Sequence, residues 1–211
     1  ADVLIERRRD LAAERLETSP ADIAYRDGAF EVVGTDRRVG LFELAAWKPF
    51  DGDAVFADKI DSFPTGVMVC EVEVDPETGE TRIDRFLAVA DCGEVVNPRL
   101  LAGQMHGGIV HGLGNALMEE ALYDEASGQL LTGTLMDYAL PRADDVPSFG
   151  VETIATPSPN NMLGFKGVGE LPTNGAPAAL ANAVLDALRP LGVRHIDMPL
   201  TAAKVWAALP K

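Results

Sequence analysis

Residues 157–188 read PSPNNMLGFKGVGELPTNGAPAALANAVLDAL, and the rest of the chain is understood from them. The second half has the pattern of a helix. Leu180, Val184 and Leu188 recur at four-residue spacing, so one face is buried. Pro177 suits the first helical position, where a missing N–H costs nothing. The first half is a loop of Gly, Asn and Pro in which Gly167 and Gly169 bracket Val168 and lead straight into a carboxylate, Glu170. Glycines there open dihedrals closed to other residues and let a ligand approach the main chain. A carboxylate held in such a loop, ahead of a helix N-terminus, is a candidate general base. The same residue also reads as a solvated charge or part of a helix cap, so Gly-Val-Gly-Glu is a weak motif until its surroundings are considered.

Outward from that loop, composition bounds the answer. The chain has 211 residues, 47% apolar and 24% charged, as in ordinary soluble globular proteins. A net charge of −15 argues against nucleic acid or an anionic membrane as partner, since both select basic patches. No apolar run approaches the ~18 residues of a membrane span. The opening ADVLIERRRDLAAERLE is charged and helical in pattern rather than a signal peptide. Cys70 and Cys92 are isolated, lack metal-ligand spacing, and read as buried thiols of a reducing compartment, which predicts a cytoplasmic protein.

Before the loop, the pattern predicts a helix over 3–16, then a short helix or turn opened by Ser19 and Pro20. A hairpin turning at Asp27-Gly28 follows, then a helix over 39–47 with Leu41, Leu44 and Ala45 inward, and an irregular surface stretch over 51–64. A long hairpin comes next. Met68, Cys70, Val72 and Val74 share one face, a turn spans 75–79, and a return strand over 81–91 has Ile83, Leu87 and Val89 in register. The chain then bends at Asp91-Cys92-Gly93 towards Asn97-Pro98.

A helix over 100–121 carries the apolar stripe Met105, Ile109, Leu113, Ala116 and Leu117, with Gln104, Gly108, His111 and Asn115 on the far side. Its glycines at 107, 108, 112 and 114 cost roughly 1 kcal/mol each against alanine. Two explanations stand open: tight helix packing with a solvated amide, or a bare face where Gln104 holds a polar ligand. His106 and His111 are five apart, not the four that places two imidazoles on one metal face. A turn over 124–128, an extended run over 130–135, a polar loop over 142–148, a strand over 149–155 and a capped final helix over 201–209 carrying Trp206 complete the chain. Helices and antiparallel strands mix without βαβ alternation, which predicts an α+β fold. With no repeat or linker to mark a boundary, residues 1–211 read as one domain.

Several short motifs occur in order: Asp91-Cys92-Gly93, Asn97-Pro98, Gly103-Gln104-Met105-His106-Gly107-Gly108, Met136-Asp137-Tyr138, Thr156-Pro157 and Lys166-Gly167-Val168-Gly169-Glu170. Together they resemble the C-terminal part of the molybdopterin-binding large subunit of the xanthine oxidase family of molybdenum hydroxylases. That family includes xanthine dehydrogenase, aldehyde oxidase, aerobic carbon monoxide dehydrogenase and N-heterocycle hydroxylases. The resemblance runs from about the first hairpin to Trp206 and implies the fold of the family's C-terminal molybdopterin-binding domain. It also implies that Glu170 is the base activating a molybdenum-bound hydroxyl, that Gln104 hydrogen-bonds the pterin, and that Gly167 and Gly169 shape the loop beneath the metal. The metal is then held by the pterin dithiolene and not by side chains.

The implied reaction hydroxylates an electron-poor carbon of an N-heterocycle, purine or aldehyde, with water as oxygen source. The implied cofactor is molybdenum–molybdopterin, its cytosine dinucleotide form being one option. Family large subunits are several times longer, so the resemblance further implies a split subunit or a fragment. A remaining large-subunit chain would carry the other cofactor loops. The chain lacks four spaced cysteines and a dinucleotide-type GxGxxG, so 2Fe–2S and FAD are expected on an iron–sulfur subunit and an FAD subunit. Two other readings are a portion of an aerobic carbon monoxide dehydrogenase large subunit and a non-catalytic assembly module. Phe165, just ahead of the loop, either touches the substrate pocket or is structural.

Overall fold

Phe30, fully buried, centres the first of two hydrophobic cores. The computed structural model describes residues 2–49 and 61–210, and the chain divides into two compact units, Ala1–Ala57 and Asp58–Lys211. The first contains α1 (Asp2–Leu16), a 3₁₀ turn, the strands β1 (Ile23–Arg26), β2 (Ala29–Val32) and β3 (Arg38–Gly40), and α2 (Leu41–Trp47). Ser19 Oγ accepts from the Ala21 N–H to start the 3₁₀ turn, as its position predicts. Asp27 and Gly28 both have positive φ, the signature of a two-residue hairpin turn. The predicted helix over 39–47 starts later. Val39 lies in β3, pairs with Phe30 and is buried, because β2 needs partners for the backbone groups of its second edge. Of the expected irregular stretch, 61–64 carry no regular structure and 51–60 lie outside the described residues.

The second unit is built on the sheet β4 (Thr65–Val74), β5 (Thr81–Asp91) and β6 (Phe149–Ile154), in that order. The β4–β5 hairpin follows the alternation of the sequence, with Met68, Cys70, Val72 and Val74 turned to the core. The return strand does not. Glu71 pairs with Arg85 but Val72 pairs with Ile83, so Asp84 is an extra residue forming a bulge. One extra residue flips every later side chain to the other face. Phe86, Ala88 and Ala90 therefore fill the core beside Ile83, while Leu87 and Val89 are exposed, contrary to the register expected for them. A second difference concerns strand direction: β6 pairs parallel to β5, so the sheet is mixed rather than purely antiparallel.

Helices α3 (Pro98–Leu117) and α4 (Leu171–Leu188) bury Met105, Ile109, Leu113, Leu180, Val184 and Leu188 in one core with the strand residues. Asn97 Oδ1 accepts from the Leu100 N–H at 3.1 Å and caps α3, which starts at Pro98, two residues before the predicted start. Its last turn is reached at Leu117 rather than 121. Pro177 is not at the start of α4. The helix begins at Leu171, with Pro172 in the first turn and Pro177 inside. A mid-helix proline removes one bond, a cost of about 3 kcal/mol in isolation. Here its ring packs against Gly112 of α3, where a Cβ would meet Pro177 Cδ at 2.8 Å. The run over 130–135 forms only a single bridge, Leu130 to Tyr123, and no strand. Thr201 Oγ1 caps the closing helix α5 (Ala202–Ala208) as its sequence predicts. Among the described residues no helix is long and apolar enough to cross a membrane.

Candidate functional site

The parallel pairing of β5 and β6 builds the site. Asp91 stands beside Ile154, so both strands release their chains at the same edge of the sheet. Gly93, at φ +67°, turns the first chain, and the loop that follows β6 runs back along it. The Glu94 N–H donates to Gly164 O at 3.0 Å, Ser158 N–H to the same oxygen at 2.9 Å, and Lys166 N–H to Cys92 O at 2.8 Å. Asn161 braces the loop internally, accepting from the Phe165 N–H and donating to Phe165 O.

Asp91 ties these pieces together. Its Oδ1 accepts from the N–H of Gly93 at 3.0 Å and of Thr156 at 3.1 Å, and Lys166 Nζ lies 3.1 Å from Oδ2. The Gly93 N–H, then Thr156, and also the Lys166 ammonium hold the Asp91 carboxyl well below the usual carboxylate range, against the opposing pull of desolvation. Asp91 and Lys166 both belong to the motifs quoted from the sequence. Their pairing across 75 positions had no sequence signal.

Glu170 closes the loop at the N-cap position of α4, with φ −92° and ψ −16°. Its carbonyl accepts from the Asn174 N–H, but its carboxylate caps nothing. Among the described residues that carboxylate has no hydrogen bond or ion pair. It is exposed at a cavity of about 490 Å³ that Phe63, Pro64, Gly167, Gly169 and Asn174 also line. Phe63 and Pro64 come from the irregular segment before β4, and nothing in their local pattern marks them as neighbours of Glu170.

Gln104 stands on the exposed side of α3 and lines an adjoining, mainly apolar cavity of about 450 Å³ together with Cys92, Phe165 and Lys166. Val168 lines both cavities. Gln104 Oε1 lies 3.9 Å from where a Cβ on Gly169 would stand, so helix and loop meet at these two residues. Phe165 thus borders the cavity of Gln104 and not that of Glu170. Cys92 is buried and Cys70 half-buried, both as free thiols. Desolvation raises both thiol pKa values, that of Cys70 to about 11 with the Glu71 carboxylate adding to it.

These residues fit a flat, polar, multi-ring cofactor. A Cβ built on Gly103, Gly107 or Gly167 meets nothing within 4 Å, so these backbone positions are open to an approaching group beside the apolar side chains of the Gln104 cavity. The Gln104 amide offers a donor and an acceptor, and no hydrogen bond within the described residues occupies them. Among the described residues no three His, Cys, Asp or Glu side chains converge on a metal-ion position.

Comparison with known proteins places this geometry. Residues 1–147 match the family described as the molybdopterin cofactor-binding domain, and the chain belongs to that family, in the large-subunit region shared by xanthine oxidase-type proteins. The matched stretch contains Gln104 and ends before Glu170. The chain is 38% identical to the 6-hydroxypseudooxynicotine dehydrogenase complex subunit gamma of Paenarthrobacter nicotinovorans, over 97% of this chain and 27% of that one. It superposes on a Cu,Mo-containing carbon monoxide dehydrogenase with a TM-score of 0.80 at 32% identity, covering 96% of this chain and 27% of the other. For quinoline 2-oxidoreductase of Pseudomonas putida 86 the TM-score is 0.78 at 35% identity, with 99% and 29% covered. The chain spans about a quarter of the length of these relatives.

Proposed function

We propose that residues 1–211 are a molybdenum cofactor-binding domain that supplies the proton-accepting carboxylate and one cofactor contact of a molybdenum hydroxylase. The observation that carries the reading is the approach of Gln104 to Gly169, the residue before Glu170, where the cavities of Gln104 and Glu170 share Val168. Bound molybdenum–molybdopterin, in its plain or cytosine dinucleotide form, supplies two-electron oxidation with water as the source of oxygen. Gln104 would hydrogen-bond the pterin through its amide, and the open backbone at Gly167 and Gly169 would let the group approach the loop. Glu170 would take a proton on its carboxylate, which has no hydrogen-bond or ion-pair partner among the described residues. The substrate class is an electron-poor carbon of an N-heterocycle, purine or aldehyde. The relatives named for quinoline and for 6-hydroxypseudooxynicotine support this class.

Glu170 is exposed in this chain, and a base of this kind works best with water excluded. The remaining large-subunit chain is therefore proposed to close over it and to bring the other cofactor loops. Iron–sulfur and FAD subunits carry the electrons away. A carbon monoxide dehydrogenase portion is the second reading, supported by the TM-score of 0.80 to that enzyme.

Glu170→Gln in the assembled complex tests the role of the carboxylate. Turnover is expected to fall by about 10²–10⁴-fold with molybdenum content unchanged. Near-normal turnover would refute the assignment.

A further inference from the structure

We propose that Asp91 and Lys166 form a latch that positions Glu170. The proposal rests on Glu170 being the base, and it concerns what fixes that residue in place.

Lys166 stands four residues ahead of Glu170, and two of the three residues between them are glycines. A Cβ on Gly167 would meet nothing and one on Gly169 only Gln104 Oε1, so both glycines are loosely packed around Val168, which itself borders the core and accepts from the Leu171 N–H at 3.2 Å. Restraint comes from both ends. Downstream, Leu171 opens α4 and is partly buried against the core. Upstream, Lys166 is fastened twice, by its N–H to Cys92 O at 2.8 Å and by its ammonium to Asp91 Oδ2 at 3.1 Å.

The second fastening reaches furthest, because Asp91 also holds the far end of the same loop through Thr156 N–H and the turn at Gly93. One carboxylate thereby joins the end of β5, the start of the loop and the residue that precedes Gly-Val-Gly-Glu. The side chains of Lys166 and Asp91 are only 14% and 13% exposed, so solvent screens the pair weakly. Without the latch, Lys166 keeps only its backbone tie to Cys92 O, and the hinge ahead of Glu170 samples more positions. A displacement of about 1 Å at a reacting group costs up to about 10²-fold in rate.

The test compares Lys166→Met, Asp91→Asn and their double variant in the cofactor-loaded complex, with Lys166→Arg as the conservative replacement. Expected are unchanged molybdenum content, kcat lower by about 10–100-fold, and KM within about twofold. Amide exchange over 164–173 should quicken by about tenfold or more. The double variant should be no worse than the poorer single one, because both break one contact. Lys166→Arg should restore most of kcat and the slow exchange.

Loss of molybdenum or of assembly in step with kcat in Lys166→Met makes the pair a structural tie and overturns the proposal. So does wild-type kcat with wild-type exchange. Lys166→Met leaves every backbone bond to Asp91 intact, so it decides the matter if Asp91→Asn fails to fold. Glu170→Gln measured in parallel separates the two ideas. If that variant keeps turnover the base assignment fails, whereas low activity there with unaltered latch variants defeats the latch alone.

Discussion

Gly103 and Gly107 on α3, and Gly108 and Gly112 on the same helix, are indistinguishable as sequence and opposite as structure. A Cβ on either of the first pair enters open space. On Gly108 it would strike the Pro172 ring, and on Gly112 it would sit 2.8 Å from Pro177 Cδ and 2.9 Å from Ala176 Cβ. Gly114 belongs with the packed group, facing Pro141 and Glu119. Tight helix packing, one of the two explanations the glycines left open, thus holds at Gly108, Gly112 and Gly114, while Gly107 stands on an open face of the same helix. Residue spacing reports that a backbone is approached, and only the fold says by what.

The largest effect expected from this contrast is at Gly107→Trp. If the open face is the cofactor cradle, molybdenum in the assembled complex should fall by about tenfold or more, since the site excludes a ring of that size. The unfolding midpoint should stay near wild type. Retained metal with failed subunit association would assign the face to a neighbouring chain. Gly112→Ala probes the packed pair. Overpacking costs about 1–3 kcal/mol and better helix propensity returns up to about 1, so a net loss of about 1–2 kcal/mol is expected. Denaturant unfolding reads it, and an unshifted midpoint would mean that α3 and α4 separate easily. Gly107→Ala should move the other way, a gain of up to about 1 kcal/mol by the same measurement.

The smallest effect concerns the core beneath the packed pair, where Cys70 borders the hydrophobic cluster. Burial pushes its thiol pKa up to about 11, from an ordinary value of 9.0, so the fold favours the protonated form. That contribution is fully present below about pH 9 and fades as pH rises towards 11. At pH 8 alkylation of Cys70 should be about 100-fold slower than that of an unperturbed thiol, because the thiolate is the nucleophile. Fast labelling would show that this side of the sheet is wet.

Much of this architecture is legible from residue order. The hairpin at Asp27-Gly28, the caps at Ser19 and Thr201 and the apolar faces of α3 and α4 depend on neighbours a few positions away, and they stand where local chemistry puts them. What escapes has a common cause, interaction at long range. Leu87 and Val89 alternate properly with Ile83 until Asp84 bulges, and no local rule announces that bulge. Pro177 reads as a helix start because its place inside α4 depends on a glycine of another helix. For the candidate site, Gln104 and Glu170 stand out singly as an amide on a bare face and a carboxylate after glycines. The approach of Gln104 to the Gly169 that precedes Glu170, like the Asp91–Lys166 contact, needs the parallel β5–β6 pair.

That parallel pair also divides the unit into an end that tolerates changes of length and an end that does not. The β4–β5 turn is pinned where Gly79 is buried against Ala202 and Trp206 of α5, but the exposed turn at 124–128, between α3 and β6, lies away from the shared exit of β5 and β6. Insertions there lengthen loops at a modest entropic cost. A single residue added between Thr156 and Lys166 would instead move the ammonium relative to Asp91 and rotate the hinge beyond it. Designers wishing to append a tag or graft a segment have the first region at their disposal, and should leave the second untouched.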